Sequence, residues 1–239
     1  MLYLNNVTLL SVDSLDPERT IYALNESSKN IKFESIKLIT TGQCKNKCLN
    51  VNNIDVSYND KVDSYENVSN FLISDIYKYV DTDFALFIEW DGYVLDYTKW
   101  SNKFLKYDYI GASWKVRRSS ARWKGLSDVI DENKMVVGNG GFSIRSRRLL
   151  EFLGTDKYIL DQLTNDDYLN QDMFICRKNR RYIMNNGFTF APTDLANKFS
   201  AERIPYSGQF GWHGTRNRKT LPLRLLNSNK WIKDRINKK

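Results

Sequence analysis

The sequence predicts an α/β fold: a mixed, mostly parallel central sheet flanked by helices. Strand-like and helix-like segments alternate through roughly the first 90 residues, the order that winds a parallel sheet. The run FALFIEW (84–90) is almost continuously apolar, as a central strand covered on both faces must be. The chain has 239 residues and four prolines, enough length for one well-buried core and no linker composition, so 1–239 reads as one domain.

Taken in order, NVTLLSVDS (6–14) is a strand entering a polar turn. Asp16-Pro17 opens a helix to about Asn30, with Asp as N-cap and proline at the first helical position. IKFESIKLITT (31–41) alternates as a strand, and NIDVSY (53–58) is a short third. ENVSNFLISDIYKYV (66–80) puts Phe71, Leu72, Ile76 and Tyr79 on one helical face. After 84–90 comes a strand in YDYIGASW (107–114), then a polar, basic loop over 115–134. MVVGNGGFSIRSRRLLEFL (135–153) reads as strand, glycine turn, strand and helix. Helices follow over 168–183 and, capped by Thr193, over 193–200.

The formal charge of +8 implies an anionic partner: nucleotide, membrane surface or nucleic acid. The charge gathers in KVRRSSARWK (115–124), in CRKNRR (176–181) and in the C-terminal tail, of which 220–239 forms a basic tail or helix. Leu225, Leu226, Trp231 and Ile232 among those cations suit either packing on the domain or peripheral association with an anionic membrane. No run reaches the roughly 18–20 apolar residues of a membrane span. Three cysteines, an odd number, fit a reducing, cytoplasmic setting better than a disulfide framework.

Chemistry concentrates in four places. Residues two apart in a strand share a side, so Glu89 and Asp91 project together from the end of 84–90. Ligands of open α/β sheets bind beyond the carboxyl ends of strands. Converging carboxylates there suit Mg²⁺ or Mn²⁺, although strand-end polar residues capping a turn look the same. Gly138, Gly140 and Gly141 form a bend whose backbone can approach a ligand and adopt positive φ, or a plain hairpin turn. His213, the one histidine, either completes a metal shell begun by Asp91 or is a part-buried ring with a backbone partner. Asp172, near a helix start where the dipole favours its charge, is a general base or an ordinary helix N-terminal acid.

FALFIEWDGYVLD, YDYIGASW, VGNGGFSIRSRRLLE, NQDMFICR, FAPTDLANKFSAE and FGWHG, in that order, resemble a large glycosyltransferase-like family with WDG, GNGGFS-apolar-Arg and FG-aromatic-HG motifs. The resemblance spans about 7–214. It implies a GT-A-type nucleotide-sugar transferase with a DxD-like element. Asp91 is then the principal metal carboxylate, Glu89 the first acidic place, and His213 the late metal ligand. Gly140, Gly141 and Phe142 form the loop facing donor sugar and acceptor, and Asp13 begins the nucleotide-base pocket. Asp172 falls in the family's acidic pair, whose first place here is Gln171.

The resulting expectation is metal-dependent, inverting sugar transfer from a nucleotide sugar, a UDP-sugar foremost, to a glycan or lipid-linked acceptor. Trp114, Arg117, Arg118 and Trp123 are candidates for a lid or acceptor surface. Two other readings compete. A sugar-phosphate nucleotidyltransferase would carry a Gly-rich loop after its first strand, where this chain has SVDSLDPERT. A non-catalytic polyanion-binding protein would use the basic runs, but they contain no module for specific nucleic-acid recognition.

Overall fold

The computed structural model describes residues 1–48, 51–116, 129–164 and 170–214. Arg117, Arg118, Trp123 and the tail 220–239 lie outside the described residues.

The main sheet has six strands: β1 (Leu2–Val12), β2 (Ile31–Thr40), β3 (Asp55–Tyr58), β4 (Phe84–Ile88), β6 (Tyr109–Gly111) and β9 (Phe142–Ser146). Their order is β3-β2-β1-β4-β9-β6. The first four run parallel, and β9 runs antiparallel to both β4 and β6. The alternating N-terminal half therefore builds the parallel part, and β9 closes it by returning beside β4.

Helix α1 (Pro17–Ser28) joins β1 to β2 and buries Pro17, Thr20, Ala23, Leu24 and Ser27, a stripe with helical spacing. Asp16 was expected to cap it but makes no side-chain cap bond. Asp13 instead holds the turn before the helix: its Oδ1 accepts from Leu15 N at 2.9 Å and Asp16 N at 3.0 Å. Helix α2 (Tyr65–Ser74) is capped by Ser64, which accepts from Asn67 N. The expected single helix over 66–80 ends at Ser74 and tightens into a 3₁₀ turn that still buries Ile76.

The strand expected over 107–114 is two strands in different sheets. β6 joins the main sheet, whereas β7 (Ser113–Lys115) pairs with β8 (Met135–Val137). A third sheet sets β11 (Gly211–His213) between β10 (Ser200–Ala201) and β5 (Gly92–Val94).

Helices α3 (Arg147–Thr155) and α4 (Lys157–Thr164) follow β9. The helix expected over 168–183 is one turn, α5 (Gln171–Met173), running into a π-helical stretch (Phe174–Lys178), then α6 (Arg180–Asn185). The last helix, α7 (Thr193–Phe199), has Pro192 at its N-cap. Thr193, expected as the cap, sends its hydroxyl to Asp131 instead. Cys44, Cys48 and Cys176 are free and buried. No helix among the described residues is long and apolar enough to cross a membrane.

Candidate active site

β4 ends at Ile88, one residue before the first carboxylate. Glu89 N donates to Gly141 O and Gly92 N donates back to Glu89 O, both at 2.8 Å, which folds 89–92 into a tight turn. This turn, rather than the expected alternation along a strand, brings Glu89 and Asp91 together. Gly92 serves close approach: a β-carbon there would stand 2.5 Å from Gly141 O.

His213 arrives from far along the chain. β11 pairs antiparallel with β5, placing His213 opposite Gly92. Its Nε2 lies 3.3 Å from Asp91 Oδ1 and 3.5 Å from Glu89 Oε2. One ligand atom from each of the three residues falls within 4.8 Å of the others. Asp91 is buried, while the Glu89 side chain is 41 % exposed. The buried Nε2 makes no aligned hydrogen bond among the described residues. Burial pulls the imidazole pKa down, but Asp91 and Glu89 outweigh it and hold the ring well above its ordinary value.

The loop between β8 and β9 supports this cluster. It is no hairpin, since β8 pairs with β7 while β9 pairs with β4 and β6. Positive φ falls on Asn139 (φ 59°), not on the glycines expected to carry it. Asn139 Oδ1 accepts from Phe142 N at 3.1 Å, and its Nδ2 stands 2.8 Å from His213 Nδ1. A β-carbon on Gly141 would lie 2.1 Å from His213 Nε2, and one on Gly140 would lie 1.6 Å from Gln171 Nε2. Both side chains thus rest directly on glycine backbone.

Asp172 also lies against Gly140: the added β-carbon would come 3.1 Å from Asp172 Cβ. Its Oδ1 accepts from Met173 N at 2.7 Å. The helix start was expected to favour its ionised form. Instead, burial first and then the charge of Glu89 push its pKa up to about 6.

A cavity of about 90 Å³ adjoins the cluster, walled among others by Asp13, Glu89, Trp90, Gly140, Arg145 and Gln171. Asp13 borders it with a carboxylate already engaged. Besides the two backbone amides, Arg19 Nε at 3.1 Å and Thr20 Oγ1 at 2.6 Å donate to Oδ2. Burial raises its pKa and these partners more than offset that, leaving it below the usual carboxylate value. Asp13 in turn fixes Arg19, whose guanidinium lies 4.9 Å over the Trp90 ring.

Two other expected contact residues belong to the core. Phe142 is fully buried, with ring centroids of Phe199 and Phe210 at 5.1 and 5.9 Å. Trp114 is buried against Gly138 and donates from Nε1 to Glu202 at 3.1 Å. Sequence reasoning passed over Asn139 and Arg145. The signal for Arg145 was an arginine inside a strand that pairs on both sides, where an apolar residue belongs.

The donor set fits a hard divalent cation: two carboxylates and an imidazole whose Nε2 has no aligned partner. Ligation through Nε2 places the ring proton on Nδ1, so the Asn139 amide must then turn its oxygen toward the ring.

The mixed sheet with helices on its faces is a GT-A-like α/β fold. It matches the galactosyltransferase LgtC, solved with donor and acceptor sugar analogues, at a TM-score of 0.51 and 11 % identity over 86 % of each chain. The apo glycosyltransferase GlyE of Streptococcus pneumoniae matches at 0.49 and 10 % identity, over 87 % of this chain and 54 % of that one. The bifunctional IspDF of Campylobacter jejuni matches at 0.47 and 12 % identity, over 78 % of this chain but only 48 % of that one. No curated protein matches the sequence. The chain belongs to the family described as protein of unknown function (DUF5672), which matches residues 49–214.

Proposed function

We propose that this protein is a divalent-metal-dependent glycosyltransferase. In this reading it moves a sugar from a nucleotide-sugar donor, a UDP-sugar foremost, to the hydroxyl of a glycan or lipid-linked acceptor, with inversion. The observation that carries it is the convergence of Glu89, Asp91 and His213 just beyond the carboxyl end of β4. The fold shared with a galactosyltransferase that binds donor and acceptor analogues supports it.

Asp91 and His213, with Glu89 beside them, would hold the cation, which when bound would supply Lewis-acid stabilisation of charge on the leaving diphosphate. A mixed carboxylate and imidazole set suits Mn²⁺ better than Mg²⁺. Asp172 takes the acceptor proton. Its Oδ1 is held by Met173 N, so Oδ2 receives the proton. With a pKa of about 6 it is ionised at neutral pH and still basic enough to act. The acceptor oxygen bonds to the anomeric carbon as the bond from that carbon to the diphosphate oxygen breaks. Gly140 and Gly141 keep Asp172 and His213 close to this point.

Thermal unfolding with nucleoside diphosphates and sugar nucleotides, with and without Mn²⁺, tests the reading. A shift of about 5–10 °C at a hundredfold excess over Kd is expected for one nucleotide class. It should require Mn²⁺ and disappear in Asp91→Ala. If no nucleotide shifts the transition with Mn²⁺ and no sugar transfer is detected, the reading is wrong.

A further inference from the structure

Arg145, in the middle of β9, is fully buried and has no carboxylate partner among the described residues. Its Nη2 donates to Oε1 of Gln171, a neutral amide. Its Nε and Nη1 are buried and make no hydrogen bond among the described residues. The arginines around it are treated differently: Arg19 pairs with Asp13, Arg147 with Glu151 and Arg148 with Asp108. The rings of Phe87 and Tyr109, at 4.4 and 5.4 Å, attract the guanidinium charge but do not accept in-plane N–H bonds. A cation removed from water needs a counter-charge, and two unmade hydrogen bonds add to that need.

Arg145 and Gln171 both line the cavity beside the metal cluster. Its other charged walls are Asp13, Arg19 and Glu89. Asp13 and Arg19 neutralise each other, and Glu89 stands 3.5 Å from His213 Nε2. Among the described residues, Arg145 is the charge on that wall with no opposite beside it.

We propose that this cavity takes an oxoanion, a phosphate or a carboxylate carried by a substrate, with the guanidinium of Arg145 as its counter-charge and donor. As a statement about substrate class it rests on the transferase reading; as an anion site it stands without it. Gln171 is then the residue that keeps the site open. A carboxylate at its Oε1 position would neutralise Arg145 internally and leave nothing for a ligand to do.

The test is thermal unfolding of the full chain and of Gln171→Glu, Arg145→Met and Asp91→Ala. The probes are inorganic phosphate, glucuronate and UDP, each against sodium chloride at matched ionic strength. For the wild type, phosphate or glucuronate should raise the transition by about 5–10 °C at a hundredfold excess over Kd. Gln171→Glu should unfold at a higher temperature than wild type without ligand and lose the anion response. Arg145→Met should lose it too, and if that variant does not fold, Gln171→Glu alone decides. Response to phosphate and UDP assigns the group to a phosphate ester, and response to glucuronate assigns it to a sugar carboxylate. The proposal is overturned if no anion exceeds the salt control, or if Gln171→Glu keeps the full response. A Mn²⁺-dependent UDP shift that survives in Gln171→Glu, with no metal-free anion effect in wild type, removes the anion site and leaves the transferase. An anion response that wild type and Asp91→Ala share, with no Mn²⁺-dependent nucleotide shift in wild type, removes the transferase and leaves the anion site.

Discussion

Asn139 and His213 meet at 2.8 Å, Nδ2 to Nδ1, and this contact couples the orientation of the amide to the protonation of the ring. With Asn139 Oδ1 held by Phe142 N, the amide donates to Nδ1 and the neutral ring keeps its proton on Nε2, toward Asp91. A cation at Nε2 needs the reverse arrangement. Asn139→Ala should weaken Mn²⁺ binding by about 10–100-fold, the usual cost of losing an orienting partner. Asn139→Asp presents an acceptor without turning and should bind Mn²⁺ more tightly than wild type. Calorimetric titration of Mn²⁺ into the three proteins checks both; equal affinities would remove His213 from the ligand set.

Gly141 separates steric from conformational effects. Its φ is not in the left-handed region, so alanine is allowed by the backbone, but the added carbon would lie 2.1 Å from His213 Nε2. Gly141→Ala should displace the imidazole, lower Mn²⁺ affinity more than tenfold and cost about 1–3 kcal/mol of stability through overpacking. Affinity unchanged alongside a lowered Tm would mean that the ring is not a ligand.

Asp172→Asn should reduce turnover by roughly 10²–10⁴-fold, the range of a lost general base. Its effect on stability has the opposite sign. A carboxyl with a raised folded pKa contributes stability that is full below its unfolded value of 3.8 and is lost as pH rises through about 6. Denaturant unfolding at pH 4 and pH 7.5 should therefore show wild type losing on the order of 2 kcal/mol relative to Asp172→Asn. Parallel pH profiles for the two proteins would contradict the burial of this charge.

Asp108 is the control away from the site. It accepts from Ser146 Oγ, from Arg148 Nε, and from Thr189 N and Oγ1. Burial raises its pKa, but Arg148, Ser146 and Thr189 lower it further, to below 3.8. Its contribution is present above 3.8 and is lost as pH falls through the folded value. Asp108→Ala should cost about 1–3 kcal/mol by leaving the buried Ser146 hydroxyl and the Thr189 amide without their acceptor, the exposed Arg148 regaining water. Mn²⁺ affinity of the folded fraction should stay at wild type.

Much of the fold was legible because its signals are local. The apolar run before Glu89, the Asp-Pro start of α1 and the alternation in 31–41 each reflect backbone geometry set by neighbouring residues. Local reasoning failed where two residues compete for one job. Asp16 was expected to cap α1 and makes no cap bond, while Asp13 gathers the amides of the turn before it. Asn139 took the positive φ expected of the glycines beside it. Phe142 and Trp114 looked like ligand contacts from their motif neighbours, yet Phe142 is buried among aromatic rings and Trp114 against Gly138.

By itself, the sequence determined the α/β class, the strand that ends at the carboxylates, and the residue types from which a site can be made. Those follow from periodicity and side-chain chemistry, which each segment carries alone. Only the tertiary structure decided that the turn after β4 and not its pleat joins Glu89 to Asp91, and that β11 pairs with β5 to deliver His213. It alone left Arg145 buried against a neutral amide at the cavity wall. Strand pairing and burial bring together residues distant along the chain, and no local pattern records which partners will meet.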